Sequence, residues 1–241
     1  MNKKLITPDN LSQFAYTNFD ITKKPYKGII VDFMGLGGMI FTDEAPYDFP
    51  KKSAEKNILF VLPYLNPWNW MNDISVKITD MIIDAMLKKA NLDLATTKLV
   101  YTGGSMGGQC AITYSNYAKM PPVACAVNCP VCDSVYHDTE RKDVPRTYIS
   151  SFFHYDMKMV DAIKTVSPIE LVDTLPKIPY YIVHGQDDEA VNIKLHSQPF
   201  AQKMEKAGFD ITFDSVPGMK HCNISGNNEK RYYNFIYSFF E

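Results

Sequence analysis

A surplus of charge of either sign is what this chain of 241 residues most plainly lacks: 25 Lys and Arg stand against 27 Asp and Glu, a formal charge of -2. Polyanion binders carry a net basic stripe, so this balance argues against a nucleic-acid partner. Long apolar runs are missing too, none approaching the roughly 18 residues of a membrane span. Residues 1–10 carry Lys3 and Lys4 but no apolar block or small-residue cleavage site, so as written they are not a secretory leader. Cysteine is scarce and odd in number. Five thiols over the whole length suit reduced side chains in a cytoplasm better than a disulfide framework. Repeats, low-complexity tracts and long linkers are absent as well. With 46% hydrophobic and 22% charged residues, the composition is that of a folded globular chain, and one domain over residues 1–241 is expected.

What is present is an alternation of short apolar runs with helical patterns, the signature of α/β architecture. The runs are 28–34, 58–64, 98–104, 124–130, 179–185 and 211–216. They are apolar nearly throughout, which predicts parallel strands covered on both faces. Between them, Ile74, Ile78, Met81, Ile82, Ala85 and Met86 keep helical spacing and predict one buried stripe, and Met106, Cys110, Ala111, Tyr114 and Ala118 predict another. Residues 196–207 and the aromatic row Tyr232, Phe235, Ile236, Phe239 and Phe240 predict two more helices. The stretch before the 179–185 run is too long for a simple crossover. A small helical insertion around 133–170, over the carboxyl edge of the sheet, is expected there, and ligands of open parallel sheets bind along that edge.

The strongest motif is Gly103-Gly104-Ser105-Met106-Gly107-Gly108. It supplies G-x-S-x-G between an apolar run and a helical pattern, where a sharp turn lifts a serine Oγ clear of the sheet. Neither G-x-G-x-x-G nor G-x-x-x-x-G-K-[ST] occurs, so a nucleotide loop is disfavoured. A serine attacks only if a base takes its proton and a third group orients that base. Carboxylates follow the 179–185 run in Gln186-Asp187-Asp188-Glu189, and a loop histidine follows the next run in Met219-Lys220-His221-Cys222. Ser105, then Asp188, then His221 is the chain order that a strand-borne nucleophile of this kind requires.

On these blocks, together with Met34-Gly35-Leu36-Gly37-Gly38 and Val166-Ser167-Pro168, the sequence resembles the α/β-hydrolase family from about residue 28 to the end. Within that family it is most similar to compact esterases and to the catalytic domains of prolyl-oligopeptidase-type peptidases. The resemblance implies a mostly parallel sheet flanked by helices. Their acid block reads H-G-x-x-D-x-x-V, which matches His184-Gly185 through Asp188 and Val191 and selects Asp188 over Asp187, with Asp133 a more distant choice. His221 is then the base, ahead of His137, His154, His184 and His196. The backbone N–H of Met106 forms one half of the oxyanion hole, and by resemblance Leu36 N–H forms the other. The family often has His-Gly where this chain has Met34-Gly35, and H-G-G-G is absent.

Both tryptophans, Trp68 and Trp70, fall in one loop after the 58–64 run, where they can wall a substrate pocket or cap a core. Cys125, Cys129 and Cys132 match no paired C-x-x-C spacing, so no metal is expected. The acidic pairs Asp187-Asp188 and Asp43-Glu44 do not amount to a glycosidase site. The expected protein is a cofactor-free serine hydrolase acting on a small-molecule carboxylic ester. A small peptidase of the prolyl-oligopeptidase type, lacking room for the gating propeller such peptidases carry, is the alternative, and a catalytically silent binding protein of the same fold is a third.

Overall fold

Strand residues that alternate between two apolar layers build this molecule. The structure, a computed structural model, describes residues 5–38 and 48–241. Along the chain run β1 (Ala15–Thr17), β2 (Gly28–Phe33), α1 (Asp48–Glu55), β3 (Ile58–Pro63), α2 (Asp73–Ala90), β4 (Leu99–Gly104), α3 (Met106–Tyr117) and β5 (Ala124–Asn128). Then come α4 (Ser134–Glu140), α5 (Val144–Phe152), α6 (Met159–Lys164), α7 (Pro168–Leu171), β6 (Tyr180–Gly185), α8 (Ser197–Lys206), β7 (Ile211–Val216) and α9 (Gly226–Ser238). The sheet order is β1-β3-β2-β4-β5-β6-β7. Only the β1–β3 pairing is antiparallel among the described strands. This is the α/β-hydrolase arrangement expected from the sequence.

Successive strand residues point to opposite faces, and here both faces are core. Ile29, Val31, Leu59, Val61, Tyr101, Cys125 and Ile182 face the layer of α2, α3 and α8. Ile30, Phe60, Leu62, Val100, Ala126 and Val183 face α1 and α9, where Phe49, Tyr232, Ile236 and Phe240 meet them. That double burial is why the central runs are apolar without alternation. Each large side chain so buried contributes about 1.5–3 kcal/mol. The edge strand β7 is half-covered, and its residues are mixed accordingly.

Three details depart from the sequence expectations. First, β1 is too short to show a periodicity. Asn18 secures it: the buried amide donates to the Pro50 and Ile58 carbonyls and accepts from Phe60 N–H at 2.7 Å. Second, α2 is rotated from the predicted stripe. Ile74 is 47% exposed, and Ile78 and Met81 are half-buried. Ser75, Thr79 and Asp80 are buried instead, because their polar groups have partners: Thr79 Oγ1 bonds Ser75 O, and Asp80 accepts from Tyr114 Oη at 2.7 Å. Third, α3 is buried all round from Met106 to Ser115. Its polar positions Gln109 and Thr113 donate to the Val166 carbonyl at 2.9 and 2.8 Å, docking the chain that leads out of the insertion.

Four short helices, α4 to α7, occupy the long stretch between β5 and β6. α4, α5 and α6 pack on one another, and α7 returns to α3 and α8. α5 rests on the loop after β3. There Trp70 Nε1–H donates to Thr147 Oγ1 at 2.9 Å, Asn72 Nδ2 to Ser151 O at 2.9 Å, and Ser151 Oγ to Asn69 O at 2.7 Å. No helix among the described residues is long and apolar enough to cross a membrane.

Candidate active site

The turn from β4 into α3 holds Ser105 at φ 58° and ψ -126°, a strained conformation for a residue with a side chain. Close packing enforces it. A Cβ on Gly107 would lie 1.9 Å from the Phe33 carbonyl oxygen, and one on Gly103 would lie 2.4 Å from the Gly107 backbone. The turn is fixed further by Ser105 N–H donating to Asn128 O at 2.9 Å and by Gln109 N–H donating to Ser105 O at 3.1 Å. The glycines of the motif thus let α3 start against the ends of β2 and β4, and Ser105 sits at the carboxyl edge.

Asp188 and His221 come together from the loops after β6 and β7. His221 Nδ1 lies 2.7 Å from Asp188 Oδ2. The other carboxylate oxygen accepts from the backbone N–H groups of Ala190 and Val191, both at 2.9 Å. His184 is a second imidazole partner, with Nε2 3.2 Å from Asp188 Oδ2 and 3.0 Å from Val191 O. Both of those neighbours are acceptors, so Nε2 of His184 carries a proton and Nδ1 accepts from Ser197 Oγ at 2.6 Å. Burial opposes ionisation of Asp188, but hydrogen bonds from His184, His221 and Val191 N–H outweigh it and hold the carboxyl far below its usual range. For His221, burial works against the cation, and the Asp188 hydrogen bond, with a smaller contribution from Cys129, pushes its pKa up to about 9. The imidazole is 28% exposed while Asp188 is fully buried.

Ser105 and His221 line one cavity of about 1000 Å3, together with Met34, Leu36, Trp68 and the insertion residues Arg141, Asp143 and Arg146. Among the described residues no hydrogen bond joins the Ser105 hydroxyl to the imidazole, and Nε2 lies 3.8 Å from Cys222 Sγ. Such hydrogen bonds are often long without substrate and tighten in the reacting complex. A Cβ on Gly35 would stand 3.7 Å from Ser105 Cβ, so the loop after β2 lies beside the Ser105 turn. Met106 N–H, at the first position of α3, has no intrahelical acceptor, and neither it nor Leu36 N–H is engaged by another described group.

The remaining sequence candidates separate cleanly. Asp187 and Glu189 are exposed, and Asp133 caps α4 through Tyr136 N–H at 2.9 Å. His154 pairs on the surface with Asp73. Asp43 and Glu44 lie outside the described residues. The two tryptophans divide. Trp68 lines the cavity and donates to Ser150 Oγ at 3.1 Å. Trp70 does not reach the cavity: it is fully buried, with Tyr148 4.4 Å from its ring centre, so its substrate-binding assignment is corrected to a core role. Arg141, Asp143, Arg146, Thr147 and Ser150 on the cavity wall were not singled out from the sequence, because they sit on α5 and the turn before it, which carry no motif.

Among the described residues, three clusters bring metal-ligating side chains within 4.8 Å: Cys129 with His221 and Cys222, Cys129 with His184 and Asp188, and His137 with Glu140 and His196. The third is closed by its own hydrogen bonds. His196 Nδ1 accepts from the N–H groups of Cys132 and Asp133 at 3.2 Å, so its Nε2 bears the proton given to Glu140 Oε2 at 2.9 Å. A metal on Nε2 would turn Nδ1 into a donor facing two donors. The second cluster is buried throughout and already hydrogen-bonded.

No curated protein matches the chain. Among solved structures it is similar to dipeptidyl peptidase 4 of Porphyromonas gingivalis, with a TM-score of 0.70 and 15% identity over 94% of this chain and 33% of that one. It is similar to the acylaminoacyl peptidase of Pyrococcus horikoshii, with a TM-score of 0.68 and 14% identity over 90% of this chain and 38% of that one. Esterase B from Lactobacillus Rhamnosis gives a TM-score of 0.69 and 13% identity over 90% of this chain and 76% of that one. The chain thus spans roughly a third of the length of the two peptidases. At these identities the likeness carries the α/β-hydrolase fold. A family model describing the prolyl oligopeptidase family matches residues 75–241, which include Ser105, Asp188 and His221. With more than half of its length so matched, the chain belongs to the prolyl oligopeptidase family of serine hydrolases.

Proposed function

We propose that the protein cleaves carboxylic esters through an acyl-enzyme on Ser105. His221 takes the hydroxyl proton as Ser105 attacks the carbonyl carbon, and Asp188 holds the imidazole tautomer and offsets its charge. Leu36 and Met106 N–H groups stabilise the tetrahedral oxyanion. The alcohol leaves with the proton from His221, and water then releases the acid by the same steps. The observation that carries this reading is the 2.7 Å Asp188–His221 pair opening onto the cavity that Ser105 lines.

A second reading, a small peptidase, draws on the family and on the two peptidase neighbours. The charges around the cavity favour the ester. Recognition of a free amino terminus needs an uncompensated carboxylate, and the cavity's described acids are engaged. Arg141 grips Asp143 with Nε at 3.0 Å and a guanidinium NH2 at 2.6 Å, and Asp32 accepts from Thr102 Oγ1 at 2.6 Å. Arg146, also on the wall, has no acidic partner among the described residues and repels an ammonium group.

Parallel assays with p-nitrophenyl acetate and an aminoacyl p-nitroanilide, with fluorophosphonate labelling, test the proposal. Ester turnover with the label on Ser105 is expected. Ser105→Ala should lose roughly 10³-fold or more in kcat while keeping the native circular dichroism. Wild-type activity in that variant would reject the nucleophile, faster anilide cleavage would favour the peptidase, and no turnover or labelling would leave the binding-protein reading.

A further inference from the structure

The geometry points to a soft-metal site, of the class that takes zinc, built from Cys129 Sγ, Cys222 Sγ and His221 Nε2, which switches hydrolysis off by occupying the nitrogen that serves Ser105. The three ligand atoms lie within 4.8 Å of one another, although Cys129 is far from the other two in sequence. The Cys222–His221 separation is 3.8 Å, and Cys222 N–H donates to Cys129 Sγ at 3.3 Å. A tetrahedral zinc ion has bonds of about 2.3 Å to sulfur and 2.0–2.1 Å to nitrogen, which places sulfur and nitrogen roughly 3.5 Å apart and two sulfurs roughly 3.8 Å apart. Side-chain rotation that draws the atoms in from spacings of up to 4.8 Å would meet that.

Further features fit a metal. Asp188 holds Nδ1 of His221 at 2.7 Å, which leaves Nε2 as the ligand and supplies the carboxylate that usually backs a metal-bound imidazole. Cys222 and His221 line the cavity, so an ion can enter and a water or the Ser105 hydroxyl can fill the fourth position. Cys129 is buried and closes the site from the protein side. Binding displaces the proton from each ligand atom that carries one, the imidazole Nε2 included, leaving a dication balanced by two thiolates and a neutral imidazole. The other two clusters lack a free nitrogen lone pair or an entry path. Binding stands on the cluster's geometry alone, and only its inhibitory consequence rests on the proposed role of His221.

The test titrates the full chain, first freed of metal, with Co2+. One equivalent should produce thiolate-to-cobalt charge-transfer and tetrahedral ligand-field absorption, both displaced by Zn2+. Cys129→Ala and Cys222→Ala should each weaken binding by more than the roughly 10–100-fold that loss of an outer-sphere partner costs. If either variant misfolds, zinc protection of Cys222 from iodoacetamide in the wild-type chain, read by peptide mapping, gives the same information. Saturating Zn2+ should abolish ester turnover and a chelator should restore it, each variant being compared with its own metal-free rate. No thiolate band, unaltered affinity in either variant, or alkylation of Cys222 at an unchanged rate under zinc would overturn the site. Full turnover with the site filled would overturn the inhibition. Metal-free protein without esterase activity would instead count against the catalytic reading, leaving the cobalt result to stand on its own.

Discussion

Among the described residues, two carboxylates each sit between two imidazoles, and one of these clusters opens onto a cavity. Asp188 holds His184 and His221, and Glu140 holds His137 and His196. In the first cluster one ring is 28% exposed, with its Nε2 facing a serine-lined chamber. In the second both rings are buried, at 2% and 0%, and Nδ1 of His196 is spent on backbone donors. On the proposed mechanism, the same chemical groups serve proton transfer in one place and anchoring in the other. What separates them is exposure: one imidazole of the first cluster lines the chamber, and neither imidazole of the second does. Glu140 also accepts from Asn192 N–H at 3.2 Å, so it ties the end of α4 to the loop after β6.

The contrast can be broken most severely at Asp188. Asp188→Asn should cost about 10⁴-fold in kcat, as loss of the orienting acid does in serine hydrolases, with little change in secondary structure. Steady-state kinetics beside circular dichroism will show this, and a loss below tenfold would place the two clusters in the same structural class. Next in size, Trp70→Ala should lose about 3–5 kcal/mol of stability in chemical denaturation, because the ring is packed between Tyr148 and the edge-on His137.

Glu140→Gln should destabilise by about 1–3 kcal/mol at neutral pH and change kcat much less than Asp188→Asn does. Its pH dependence has a definite sign. Burial opposes ionisation of Glu140, but hydrogen bonds from His137 and His196 depress its pKa well below the ordinary value. A depressed carboxyl stabilises the fold above its unfolded pKa, and that contribution is lost as pH falls through the folded value. The stability gap between wild type and variant should therefore be full near pH 7 and shrink on acidification below about 4.3. A gap that widened in acid would show that Glu140 binds its proton more tightly folded than unfolded. Smallest in stability, Trp68→Ala should stay within about 0.5 kcal/mol of wild type while raising KM for aryl esters, since its ring lines the chamber. Unchanged KM across a series of esters would remove Trp68 from the substrate wall.

The sequence made the central machinery readable because that machinery depends on local chain geometry. Six apolar runs became strands since both faces of the sheet are covered, and G-x-S-x-G is readable because steric limits at Gly103 and Gly107 admit no side chain. Asp188 and His221 were legible from their places after consecutive strands, and they meet as expected. Less was visible where tertiary contacts override a pattern. The rotation of α2 follows from polar residues that find partners across the core, which no periodicity reports. The division of Trp68 from Trp70 depends on which ring α5 covers. Arg141, Arg146 and the Cys129–Cys222 approach come from the insertion and from long-range folding, where neighbours in space are distant in sequence.

The side-chain bonds that stitch α5 to the loop after β3 carry a practical consequence for anyone re-engineering the chamber. Because Trp68, Trp70 and Asn72 grip Ser150, Thr147 and Ser151, the roof is not an independent module. A transplant from another hydrolase has to bring both halves of that seam, or the foreign roof will arrive with nothing to hold it over the serine.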